Sequence, residues 1–200
     1  VISANGEQTV TAADNLVIDG SECTVNLDNA TIGSTGSAVV IKNNSNVTLN
    51  LIGESTVTGD SSTESCGIYV EYGSALTIKG SGTLKVTGGK YGAAIGSYGT
   101  ERNLAVEDRL KCGDVTIAEG TVYAYGGDKG AGIGSGNYNK QTGIVNVVNT
   151  PLESLSVNLP LGSTVTADGY KAMVKVTSAN VFIETAKDKS ICDTNYYWNY

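Results

Sequence analysis

Gly82-Thr83-Leu84-Lys85-Val86-Thr87-Gly88-Gly89-Lys90-Tyr91-Gly92-Ala93-Ala94-Ile95-Gly96-Ser97 is followed, 38 residues later, by Gly120-Thr121-Val122-Tyr123-Ala124-Tyr125-Gly126-Gly127-Asp128-Lys129-Gly130-Ala131-Gly132-Ile133-Gly134-Ser135. The glycines, the apolar positions and the closing Gly-Ser recur at one fixed offset. Self-similarity at a fixed period is the signature of a structural unit stacked on its neighbour. The passage therefore predicts a solenoid.

Outward from it, alternating apolar and polar residues bounded by Gly, Asn, Asp or Ser run from Cys23 to about Ile183, with no sustained helical period. The chain reads as all-β. One set of short strands aligns Val25-Asn26-Leu27, Val47-Thr48-Leu49, Leu76-Thr77-Ile78, Val115-Thr116-Ile117, Val145-Asn146-Val147 and Val181-Phe182-Ile183, each with its middle residue outward. A second set holds Val57, Leu84 with Val86, Val122 with Ala124, Leu155 with Val157, and Val165. A third holds Ala38–Ile41, Gly67–Val70, Ala93–Gly96, Ala131–Gly134 and Met173–Val176. Three strands per repeat with tight corners make one rung of a three-sided coil, in which each strand pairs with its equivalent in the next rung. Start-to-start distances in the first set are 22, 29, 39 and 30 residues, so the rungs differ in their corner loops. The longest insertion, about 98–113, carries Glu101, Arg102, Glu107, Asp108, Arg109 and Lys111 and is expected to stand out from the coil.

Composition narrows the function. A chain of 200 residues with no long charged or Pro/Ser-rich stretch reads as one domain: 1–22 a first rung or cap, 23–183 the repeats, 184–200 a cap or tail. A net charge of -7 disfavours nucleic acid as a partner. The absence of His removes Ser/His and Cys/His nucleophilic arrangements and His-ligated metal sites from within the chain. No apolar run approaches the roughly 20 residues that span a bilayer, and the stretch after Val1 has no basic region leading into an apolar core, as at the start of a mature or trimmed chain. Cys23, Cys66, Cys112 and Cys192 form no C-x-x-C pair; buried thiols and a disulfide framework of undetermined pairing both remain open.

The V-T-I-x-x-G-T-V-x-A-x-G-G…G-A-G-I-G-S pattern of 115–135 and its echo at 76–97 resemble the right-handed parallel β-helix repeats of secreted and cell-wall-attached bacterial proteins. The passage Gly67-Ile68-Tyr69-Val70…Leu76-Thr77-Ile78 is also similar to bacterial β-helix domains described as carbohydrate-binding. The resemblance, over about 23–183, implies a single-stranded right-handed parallel β-helix in an extracellular surface or secreted protein, as one domain of a larger chain.

On such a coil Thr56 and Thr58, Lys85 and Thr87, and Tyr123 and Tyr125 are outward positions of successive rungs. Tyrosine rings can lie against the apolar face of a sugar while hydroxyls and Lys85 bond its oxygens, so Tyr123, Tyr125, Lys85 and Thr87 form the candidate ligand-binding face. Tyrosine also favours exposed strand positions for packing alone. Asp60, Asp128 and Asp168 each follow the Gly or Ala that ends a second-set strand, with Lys90 at the similar place between them. Stacked carboxylates there could hold Ca²⁺, whereas Asp at a corner more often caps its own turn. No cofactor is required. The tail from Asp193 holds Tyr196, Tyr197, Trp198 and Tyr200, an aromatic plug over the last rung or a run into a following domain.

The expectation is a non-catalytic module that binds polysaccharide or host glycan for adhesion. A β-helix polysaccharide lyase or hydrolase is the runner-up, though no outward D-x-D or paired Glu appears in any strand and the arginines lie in the insertion. A spacer or stalk is the third reading. Ice binding would need regular Thr-x-Thr on one flat face, and Thr56-Val57-Thr58 is a lone clear case.

Overall fold

The computed structural model describes residues 1–2, 5–33, 35–100, 111–128 and 130–137, together with the strand backbones at 145–147, 171–176 and 181–185. The described residues contain strands and no helix, hence no helix long and apolar enough to cross a membrane. The strands are β1 (Gly6–Ala13), β2 (Leu16–Asp19), β3 (Glu22–Gly33), β4 (Val39–Lys42), β5 (Asn46–Ile52), β6 (Glu54–Thr58), β7 (Ile68–Val70), β8 (Ala75–Lys79) and β9 (Thr83–Thr87). They continue as β10 (Ile95–Gly96), β11 (Asp114–Ile117), β12 (Gly120–Tyr125), β13 (Ile133–Gly134), β14 (Val145–Val147), β15 (Lys171–Val176) and β16 (Val181–Thr185).

Parallel strands cannot be joined by a tight hairpin and need a crossover. Here the crossovers are themselves strands. The chain visits a five-stranded sheet ordered β13-β10-β7-β4-β2, passes into an 11-stranded sheet, and returns, so that each strand lies beside its counterpart from the previous pass. The larger sheet contains two strand stacks, β14-β11-β8-β5-β3 and β3-β6-β9-β12, joined because β3 runs through both. β3 turns between them at Asn29, whose φ of 48° puts it in the left-handed region. This is an all-β, parallel-stranded architecture of the solenoid-or-barrel class.

Period-two alternation sends one side of every strand into a common core. Leu16, Val39, Ile68, Ile95 and Ile133 are in register and form one buried aliphatic file across the five-stranded sheet. Val25, Leu49, Ile78 and Ile117 form a second, and Ile32, Val57, Val86 and Ala124 a third. Stacking like on like lets each pass cover the apolar area its predecessor leaves open. At the buried corners backbone donors are met by hydroxyls, since an unpaired buried N–H is costly. The Ser21 N–H donates to Ser45 Oγ and the Ser45 N–H to Ser74 Oγ, each at 3.1 Å.

The 38-residue offset of the duplicated passage is a pairing register: Leu84 lies beside Val122, Val86 beside Ala124 and Ile95 beside Ile133. Two expectations need correction. Val25-Asn26-Leu27 does not lie beside Val47-Thr48-Leu49; Thr24 lies beside Thr48 and Asn26 beside Asn50. A slip of two residues leaves every side chain on its own face, so alternation could not detect it. Met173–Val176 and Val181–Ile183 do not continue the parallel stacks: β15 pairs antiparallel with β12, and β16 antiparallel with β15. Alternation carries no strand direction. At the start of the chain Ile2 lies beside Ile18 and β1 beside β3, so Ile2 and β1 form one pass and β2 and β3 the next. The second-set positions Leu155, Val157 and Val165, the insertion residues 101–110 and the aromatic tail lie outside the described residues.

Candidate functional site

The outward positions of β6, β9 and β12 stand in register. Thr56, Lys85 and Tyr123 form one file, and Thr58, Thr87 and Tyr125 the next, on strands about 4.8 Å apart. The four expected binding residues therefore share one face, with Lys85 beside Tyr123 and Thr87 beside Tyr125. Lys85 and Thr87 are exposed, and both tyrosines are half-buried. On their far side the backbone register places Met173 next to Tyr123 and Lys171 next to Tyr125.

Lys85 has a partner that the sequence reading missed. Its Nζ is hydrogen-bonded and ion-paired with Glu54 Oε1. Glu54 lies opposite Thr83, which makes it the diagonal neighbour of Lys85, within reach of a long side chain. Aligning Glu54-Ser55-Thr56 with Thr83-Leu84-Lys85 would have exposed the pair. The hydrogen bond to Glu54, then its charge, and more weakly Tyr125 and Tyr123, push the Lys85 ammonium pKa up. The face thus offers two phenols, a fixed cation, its counter-carboxylate and threonine hydroxyls. Such a set can stack on a sugar ring and hydrogen-bond its oxygens.

Of the corner carboxylates, that of Asp60 caps its own turn. Asp60 Oδ1 accepts from the Ser62 N–H at 2.8 Å and from Ser62 Oγ at 2.6 Å, an Asx turn. Those bonds, the side-chain one foremost, hold the Asp60 carboxyl below its usual range. The Asp128 N–H donates to the Lys90 carbonyl at 2.6 Å, and the Lys90 N–H to Thr63 O at 2.7 Å. Asp128 is therefore stacked on Lys90 and, below it, on Thr63. Asp168 lies outside the described residues. Among the described residues no group of three or more His, Cys, Asp or Glu is placed to hold a metal ion.

One further feature had no signal in sequence spacing. Tyr69 and Tyr98 stack with ring centroids 4.3 Å apart, although 98 opens the long insertion. Burial foremost, then the charge of Glu71, raises the Tyr69 phenol to about 12. Cys23, Cys66 and Cys112 are buried, and burial foremost pushes the Cys66 thiol well up. Comparison with protein-family models, with curated proteins and with solved structures found no match for the chain.

Proposed function

We propose that the chain is a right-handed, three-sided parallel β-helix serving as a non-catalytic, extracellular binding module of a larger bacterial surface or secreted protein. Its ligand is polysaccharide or host glycan, and its use is adhesion. The observation that carries this reading is the in-register face on which Tyr123 and Tyr125 flank Lys85 and Thr87. The return of each strand to its own stack, pass after pass, supports the β-helix. A shallow face gives weak single-site affinity, so repeated copies in a larger protein would work through avidity.

The test is retention on a panel of immobilised polysaccharides and glycans, with millimolar Ca²⁺ and with chelator. Tyr123→Ala combined with Tyr125→Ala leaves the melting temperature close to that of the parent and abolishes retention. Retention unchanged by the double substitution removes the tyrosine face from the reading. No retention on any member of the panel leaves the spacer, and release of unsaturated uronate would make the chain a lyase.

A further inference from the structure

A second feature lies on the outer side of the neighbouring strand stack. A hollow of about 430 Å³ is lined by Asn5, Gly6, Glu7, Glu22, Cys23, Thr24, Asn46 and Thr48. The pairing register explains its shape. Gly6 lies beside Cys23 and Glu7 beside Thr24; Glu22 lies beside Asn46, and Thr24 beside Thr48. One wall is thus the file Glu7, Thr24, Thr48. The other is Glu22 and Asn46, continued by Asn5, whose Oδ1 accepts the Glu22 N–H at 2.8 Å. Gly6, which has no side chain, and Cys23, whose side chain is buried, leave the floor between them. The groove therefore runs across the strands.

Its walls are polar. Two carboxylates accept, two hydroxyls donate and accept, and two carboxamides do both, whereas no Lys, Arg or aromatic side chain takes part. Glu7 is held in place by Asn26 Nδ2, which donates to its Oε1 at 2.6 Å. The Thr file continues past the hollow, because Thr77 lies beside Thr48 and Thr116 beside Thr77. An extended ligand lying in the groove meets one hydroxyl per strand at about 4.8 Å intervals, comparable to the length of one pyranose residue. Glu7 and Glu22 set the groove against polyanions through like-charge repulsion.

We infer that this groove is a second binding track, separate from the tyrosine face, for an uncharged linear oligosaccharide laid across the strands and held by hydrogen bonds alone. Vicinal sugar hydroxyls donate to Glu7 and Glu22, and the Thr and Asn side chains bond the remaining oxygens. The inference does not rest on the tyrosine face.

The experiment is titration calorimetry of the whole chain with cellohexaose, mannohexaose and hexagalacturonate. One neutral hexaose binds saturably in the millimolar range and hexagalacturonate does not. Thr24→Val with Thr48→Val removes two hydroxyls while keeping β-branched shape, and weakens that binding by about tenfold at an unchanged fold by circular dichroism. Glu22→Gln provides a second, milder probe of the opposite wall and weakens it in the same direction. Tyr123→Ala with Tyr125→Ala leaves it unchanged. The groove is overturned by absence of saturable binding to both neutral probes, by tighter binding of hexagalacturonate, or by binding that survives both groove variants. Loss of binding only in the tyrosine double variant also overturns it and assigns the sugar to the other face.

Discussion

Gly130 sits over the backbone of Gly92, so closely that a Cβ on Gly130 would be pressed into the Gly92 carbonyl oxygen. Four residues on, the sense reverses: a Cβ on Gly96, at a φ of 139°, would meet the Gly134 carbonyl. Gly82 and Gly120, Gly89 and Gly127, and Gly92, Gly130 and Gly96 are thus glycines of the duplicated passage at which one pass of chain bears directly on another, whereas Gly88 and Gly126 face carbonyls of their own pass. Between the copies the inward positions exchange one apolar residue for another, Leu84 for Val122 and Val86 for Ala124, while the outward ones change chemistry, Lys85 and Thr87 in one and Tyr123 and Tyr125 in the other.

Gly130→Ala is expected to destabilise the chain by about 3 kcal/mol, since the obstructing atom is backbone and cannot rotate away. Gly36→Ala is the contrast: its φ is positive, at 84°, as that of Gly130 is not, but a Cβ there meets nothing within 4 Å. It should cost about 1 kcal/mol, from the strained backbone alone. Chemical denaturation of the two variants checks the pair. Equal losses would mean that close approach is not what the repeated glycines serve.

Much of this architecture was readable from residues. Ile95 and Ile133, or Val86 and Ala124, sit in register because the duplicated passage aligns them without a gap. Where a pass differs in length from the one before, as between β3 and β5, alternation fixed the face but not the register, and Asn26 was set two positions from its true neighbour Asn50. Direction was beyond it as well, hence the antiparallel β15. The tyrosine face was legible since period-two spacing alone builds it, whereas Glu54, a diagonal neighbour, needed β6 aligned with β9 residue by residue. The groove depends on Glu22 standing between Asn5 and Asn46 across passes of unequal length, which requires the register first.

The corrected register has an energetic consequence. Asn50 Nδ2 donates to Asn26 Oδ1 at 2.8 Å, and Asn26 Nδ2 in turn donates to Glu7 Oε1. Asn26 is buried at 8% exposure, so removing it strands polar partners on both sides. Asn26→Ala is expected to cost about 1–3 kcal/mol, and Asn50→Ala, at a half-buried site, less. A double-mutant cycle by urea denaturation should return a coupling of at least about 0.5 kcal/mol. Strict additivity would show that the carboxamide ladder contributes nothing.

Alkaline titration tests the stacked pair. Tyr69 lies half-buried against Tyr98, and burial, followed by the Glu71 charge, raises its phenol from an ordinary 10 to about 12. A raised folded-state value means that the native chain holds the proton more tightly than the unfolded chain does. The associated stability is complete below pH 10 and is lost as pH climbs through about 12. Tyr98, also raised chiefly by burial, acts in the same direction. Melting temperature should therefore fall more steeply across this window for the parent than for Tyr69→Phe, which keeps the ring and its stacking but has no proton to lose. Phenolate absorbance followed in the same window should show late-titrating tyrosine in the parent that Tyr69→Phe lacks. Parallel melting curves for the two proteins would sink the assignment, since they would mean that the Tyr69 hydroxyl titrates alike in the folded and unfolded chain.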